Sequence, residues 1–221
     1  MKFPLPKLTL LLLLFCGLFT VSCSSDDDDD TSTPALSNQF EYDTKRYDLK
    51  TGVYADLDLS DMFGMEVSSH SSRVFILADA DLLSSSATFS TELVLALFSP
   101  GTSFTTGTFQ YASIDNIVQL AAQQNKYFFT QSGLLIDLNA DGDSDDEGEE
   151  LAITGGTIKV SGTQPNYTVE CDLTLENGKS LKVQYSGAFI DVTSYLNPSN
   201  LRKRESNIST YSTLLQKLLQ K

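Results

Sequence analysis

The sequence predicts an all-β domain: an antiparallel β-sandwich, with a closed β-barrel as the alternative. Three observations carry that expectation. Between Gln39 and Val192, short apolar–polar alternations are broken by Gly, Ser, Asn and Asp, the period-two pattern of half-buried strands with turns between them. Eleven such runs can be marked, and many short strands favour a sandwich or barrel. The last two runs also specify a hairpin register.

Residues 1–22 read as a secretory leader. Lys2 and Lys7 supply a positive start, and residues 8–21 form an apolar stretch shorter than the roughly 20 residues a spanning helix needs. Phe19-Thr20-Val21-Ser22-Cys23 resembles a bacterial lipobox, with Thr20 where many members carry Leu. The resemblance implies acylation of Cys23, which becomes the new N-terminus. More than one acyl chain then holds the protein at the membrane, since one chain alone binds only marginally. An ordinary secreted protein cut near Ser22 is the other reading.

Asp26 to Asp30 are five like charges in a row, a block that repels itself into an extended tether. The tether continues through residue 38. Serine and aspartate directly after the cysteine also resemble the export tag of surface-exposed Bacteroidetes lipoproteins. That implies the outer face of the outer membrane.

The net charge of −14 is unevenly placed. Removing the leader's two lysines leaves −16, of which five charges lie in the tether and eight between Asp137 and Glu150. The remaining body is close to neutral, which excludes the basic footprint of a nucleic-acid binder. Of the three cysteines, Cys16 goes with the leader and Cys23 carries lipid. Cys171 then has no disulfide partner, and a body of this size must hold itself by its core. His70 is the only histidine and lies among serines. It reads as a loop residue without a catalytic motif, and one His and one Cys make a poor zinc set.

The predicted strands are 39–44, 46–50, 54–59, 73–80, 92–99, 104–111, 126–137, 151–154, 157–161, 167–176 and 180–192. In the final pair, Tyr167, Val169, Cys171, Leu173 and Leu175 alternate with polar residues, as do Leu181, Val183, Tyr185 and Phe189. A two-residue Asn177-Gly178 turn would oppose apolar to polar side chains, and a slip of one residue flips every side chain. A three-residue loop Glu176-Asn177-Gly178, with Gly178 left-handed, instead pairs Leu175 with Lys179, Leu173 with Leu181 and Cys171 with Val183. Cys171 is therefore expected in the core, not as a reactive thiol.

Residues 113–124 carry an apolar helical face of Ile114, Ile117, Val118, Leu120 and Ala121 behind Ser113, and predict one helix packed as a lid on the β body. Beyond Pro198, Leu201, Ile208 and Leu215 recur every seven residues. This predicts a basic amphipathic helix in the tail 197–221.

One constellation carries chemistry. Asp137, Asn139 and Asp141 alternate, Gly142 follows, and Asp143, Asp145, Glu147 and Glu149 continue the series. Alternating oxygen donors before a turn glycine resemble a calcium loop, closest to the D-x-D/N-x-D-G loops of extracellular β proteins. An EF-hand count would put the bidentate Glu at 148, which is Gly, so Glu147 or Glu149 would have to complete the site. A solvated acidic hairpin tip is the alternative.

Residues 40–192 resemble small Bacteroidetes lipoproteins of uncharacterised function, through Ile153-Thr154-Gly155-Gly156-Thr157-Ile158-Lys159-Val160, Tyr167-Thr168-Val169, Asn177-Gly178-Lys179 and Tyr185-Ser186-Gly187. The barrel alternative would be lipocalin- or calycin-like. The resulting expectation is a non-enzymatic, lipid-anchored surface module that binds a glycan or a neighbouring envelope protein. Tyr42, Tyr47 and Tyr54 are the expected exposed rings for sugar stacking. A fimbria-like assembly subunit using the basic tail is a second expectation. A hydrolase using the acidic loop is the third.

Overall fold

In the computed structural model, residues 35–58, 69–84, 89–116, 125–142, 144 and 146–196 are described. The leader, Cys23, the tether through residue 34, most of the predicted 113–124 helix, Asp143, Asp145 and the tail 197–221 lie outside them. The described chain forms ten strands in one sheet. They are β1 Gln39–Tyr42, β2 Lys45–Asp48, β3 Thr51–Asp56, β4 His70–Ala78, β5 Thr91–Pro100, β6 Gly107–Tyr111, β7 Phe128–Ile136, β8 Glu150–Thr163, β9 Asn166–Leu175 and β10 Ser180–Asp191. A single turn of helix, α1 Thr193–Leu196, follows β10.

The all-β class holds, and the pairing has the connectivity of the barrel alternative. Antiparallel ladders run β3–β4–β5–β7–β8–β9–β10, and β10 returns to β3. A ring of seven alternating strands must contain one parallel junction. It falls at β10–β3, where only Phe189–Gly52, Ile190–Val53 and Asp191–Tyr54 pair. β6 is wedged between β7 and β8, and the β1–β2 hairpin lies along the first half of β10.

The period-two pattern sends one apolar set inward. Phe75 and Leu77 of β4, Leu93, Leu95 and Leu97 of β5, and the odd residues from Tyr167 to Leu175 on β9 belong to a single buried cluster. Each fully buried side chain of this kind contributes about 1.5–3 kcal/mol. On β3, β4, β5 and β7 the alternate residues are apolar as well. Val74, Ile76, Val94, Ala96 and Phe98 form a second buried layer outside the ring, onto which Leu57, Leu82, Phe89, Ala112 and Val192 of the connections pack. Across β8–β9 the outer face is polar, with a Lys159–Glu170 ion pair of 2.8 Å between paired residues.

The final hairpin has the expected register. Leu173 faces Leu181 and Cys171 faces Val183. The Leu175 amide donates to the Lys179 carbonyl at 2.9 Å, and Gly178 is left-handed at φ +79°. Cys171 is buried, and burial pushes its thiol pKa far up.

Two expectations are corrected. The runs 151–154 and 157–161 are one strand, β8, because the chain bulges at Thr154, where the register to β9 shifts between Ile153 and Gly155, rather than turning. The bulge moves the inward set from Leu151 and Ile153 to Ile158 and Val160. His70 is the first residue of β4, not part of a loop, and is buried beside Phe128. Its Nε2 donates to the Lys126 carbonyl at 2.8 Å, which leaves Nδ1 to accept from Ser69 Oγ at 2.9 Å. Residues 117–124 of the predicted 113–124 helix lie outside the described residues; at its start, Ile114–Asn116 form a 3-10 turn with Ile114 exposed.

Gly156, just past the β8 bulge, offers a sharp test of the β8–β9 packing. It has φ +106°, and an added Cβ would stand 2.2 Å from the Asp172 carbonyl oxygen on β9. Gly156→Ala is expected to cost about 2–4 kcal/mol from strain and clash together. At about 2–4 °C per kcal/mol, a thermal melt should show a fall of about 4–16 °C. An unchanged melt would contradict this packing.

Candidate functional site

Among the described residues, the hairpin β7–β8 carries both a groove and an acidic loop that could hold a ligand. At its root, β7 is irregular: Gln131 has φ +46° and the ladder to β5 shifts between Val94 and Ala96. Ser132 repairs the gap. Its hydroxyl accepts the Ala96 amide at 3.0 Å and donates to the Thr130 carbonyl at 3.0 Å. The shift changes the inward set from Phe129 to Leu134 and Ile136.

Two irregular strands therefore face each other. β7 pairs with β6 at Phe128–Phe129 and with β8 at 133–135. β8 pairs with β7 at 150–152 and with β6 at 157–160. Neither strand pairs across this edge at 130–132 or 153–156. A groove of about 460 Å³ lies there, lined by Tyr111, residues 130–133 and residues 150–154, with Glu176 at its rim. Glu176 is fixed by its Oε1, which accepts the Ala152 amide at 3.1 Å. Sequence reasoning missed this groove, because a gap between strands is a property of pairing.

At the tip of the same hairpin is the acidic loop. Asp137 leaves β7 with its carboxylate folded back over the turn, Oδ1 accepting the Ala140 amide at 2.6 Å and Oδ2 the Gly142 amide at 3.0 Å. Ala140 and Gly142 are both left-handed, at φ +62° and +96°. Asn139 Nδ2 donates to Asp141 Oδ2 at 3.0 Å and to Asp146 Oδ2 at 2.7 Å, drawing two carboxylates to one point. Of the two glutamates that could complete the loop, Glu147 is exposed and Glu149 is turned inward at 2% exposure. Glu149 Oε1 accepts the amides of Leu138 and Asn139 at 2.8 and 3.3 Å. Among the described residues, no three His, Cys, Asp or Glu side chains stand close enough to hold an ion by themselves.

Two of the three tyrosines expected at the surface are in the core, and Tyr47 is partly buried. Tyr42 and Tyr54 are buried at 3% and 1%, and Tyr47 stacks on Phe40 with centroids 4.8 Å apart. A tyrosine ring is large enough to fill a core while its hydroxyl finds a partner. Tyr54 does this: its hydroxyl donates to Asp191 at 3.1 Å, and burial together with that bond pushes its pKa up to about 12.

Arg73, unremarked in the sequence, is buried beside that tyrosine. It pairs across the β3–β4 ladder with Asp56 through Nε at 2.6 Å and Nη2 at 2.8 Å, and Nη1 donates to the Tyr167 hydroxyl at 2.7 Å. The guanidinium lies 4.2 Å from the Tyr54 ring centroid and 4.6 Å from that of Phe104. Burial opposes its charge, but the bonds and charge of Asp56 outweigh it and raise its pKa. Every donor shown is directed into the protein, so the cluster reads as a structural clamp. No protein-family model matches the chain, nor does any curated protein or solved structure.

Removing Arg73 would orphan the Tyr167 hydroxyl and leave Asp56 without its partner. Arg73→Leu is expected to destabilise by about 2–4 kcal/mol, the lower part of the range for buried pairs because Asp56 is half exposed. Arg73→Lys, which cannot make the bidentate pair, should lose roughly half as much. Urea denaturation of both variants checks this, and two unchanged midpoints would contradict it.

Proposed function

We propose that this protein is a lipid-anchored envelope module that binds a hydroxyl-rich ligand, a glycan, in the groove between β6, β7 and β8. The observation that carries the reading is the break in strand pairing at 130–132 and 153–156, where a groove opens on a sheet that is otherwise paired around the ring. Tyr111 offers a partly exposed ring, itself braced edge-on against Phe129 at 5.7 Å. Gln131, Thr154 and Glu176 offer amide, hydroxyl and carboxylate groups around it. Ring-face contact with a few placed polar groups is the usual recipe for a small-ligand cleft. The lipid on Cys23 and the acidic tether would hold this groove a short distance outside the membrane.

Two measurements test the reading. Calorimetric titration with a panel of soluble neutral oligosaccharides should find a ligand whose affinity falls tenfold or more in Tyr111→Ala, about 1.4 kcal/mol, without a matching loss of melting temperature. Binding that ignores Tyr111→Ala and Thr154→Ala alike, or no binding across the panel, would overturn the glycan assignment. Metabolic labelling with a palmitate analogue should mark the wild-type chain and not Cys23→Ala. Equal labelling would overturn the anchor.

A further inference from the structure

We propose that the loop joining β7 to β8 binds one calcium ion through oxygens of Asp137, Asn139, Asp141 and Glu149. The observation that carries this beyond an acidic cluster is Glu149. Its side chain is 2% exposed. Oε1 is satisfied by two backbone amides, yet Oε2 is buried with no hydrogen-bond partner, and among the described residues no other buried side-chain polar atom lacks one. No ion pair reaches Glu149 among those residues. A buried carboxylate oxygen without a donor or cation costs several times what a satisfied one does, so the fold holds a negative group ready for a positive one.

The surrounding groups select the cation. All the side-chain donors are oxygens, which suits a hard ion and not zinc or copper. The two amides on Glu149 Oε1 belong to Leu138 and Asn139, so its orphan oxygen sits against the same turn that carries Asp137, Asn139 and Asp141. The Asn139 amide already bridges Asp141 and Asp146. Its NH2 stands where opposite charge is wanted, and rotation of the amide would present its oxygen to an ion. Asp137, Asp141 and Glu149 do not stand close enough to hold an ion by themselves; the ion would draw the turn in around it, the four side chains supplying four to six oxygens. Calcium accepts that irregular set with backbone carbonyls or water completing six to eight, whereas magnesium demands a near-ideal octahedron. Bridging residues at both ends of the loop, the ion would pin the β8 start to the β7 end. The site rests on Glu149 and not on the groove, so either can fail alone.

The test uses the full chain purified in detergent, stripped with EDTA and dialysed. Titration with CaCl2 should show one equivalent saturating with a Kd of about 10⁻⁴ to 10⁻³ M, the range of extracellular modules, with MgCl2 at least tenfold weaker. At ten times Kd the melting temperature should rise by about 3–6 °C over EDTA. Asp141→Asn and Glu149→Gln should each weaken calcium binding tenfold or more, while Glu147→Gln leaves it unchanged. If Glu149→Gln fails to fold, Asp141→Asn decides. No saturable heat to about 10 mM calcium, equal affinity for magnesium, or binding unaltered in Asp141→Asn would overturn the proposal.

Discussion

Closing a ring of seven alternating strands forces two neighbours to run parallel, and here that junction is only three residue pairs long. Parallel pairing is slightly weaker per residue than antiparallel, so so short a seam needs help. Side chains supply it. The Phe189 ring lies over Gly52, where an added Cβ would be 2.7 Å from the ring, and so glycine is what lets the two strands close. The Val192 amide donates to the Tyr54 carbonyl at 2.8 Å, and the Asp56 amide to Thr193 Oγ1 at 3.0 Å. Arg73 clamps the same end from inside, tying Asp56 of β3 to Tyr167 of β9. Phe75 meets Tyr167 and Phe189 edge-on at 5.4 and 5.2 Å, so aromatic packing spans the seam as well.

Closure at one side of the ring permits irregularity at the other. Two bulges, at Gln131–Ser132 on β7 and at Thr154 on β8, accompany the loss of pairing between these strands along the same edge. An open sheet with such a gap would expose a strand edge to other chains. In this ring the gap is bounded by β6 and by the three β7–β8 pairs, and a groove results. The hairpin that bounds it also carries the acidic loop, so a cation pinning residues 137 and 149 would stiffen one wall of the groove. That is how an ion remote from any reaction could bear on binding.

The sequence was most legible where one face is polar. On β9, and on β10 as far as Gly187, the large apolar side chains fall at odd positions alone, so register, loop length and the burial of Cys171 all followed from parity. On β7 the run Leu134-Leu135-Ile136 is apolar on both faces, and its parity change at Gln131 left no mark. Gly155-Gly156 was visible but ambiguous, since a glycine pair just after a bulge reads the same as one in a turn. The tyrosines misled because an amphipathic ring is compatible with either side of the surface. Arg73 could not be found without the register that sets it opposite Asp56. In the acidic loop the donor series was evident, but choosing Glu149 over Glu147 needed the direction in which β8 begins.

Native-state hydrogen exchange of the Val192 amide tests the dependence of the barrel on its seam most directly. If the seam closes one cooperative ring, Val192 should exchange only by global unfolding, with the same opening free energy as the Ala96 amide bonded to Ser132 inside the β5–β7 ladder. An opening free energy lower than that of Ala96 by roughly 2 kcal/mol or more would mean that the seam parts while the rest stays folded. The β3–β10 junction would then be a fraying edge, not the constraint on which the fold depends.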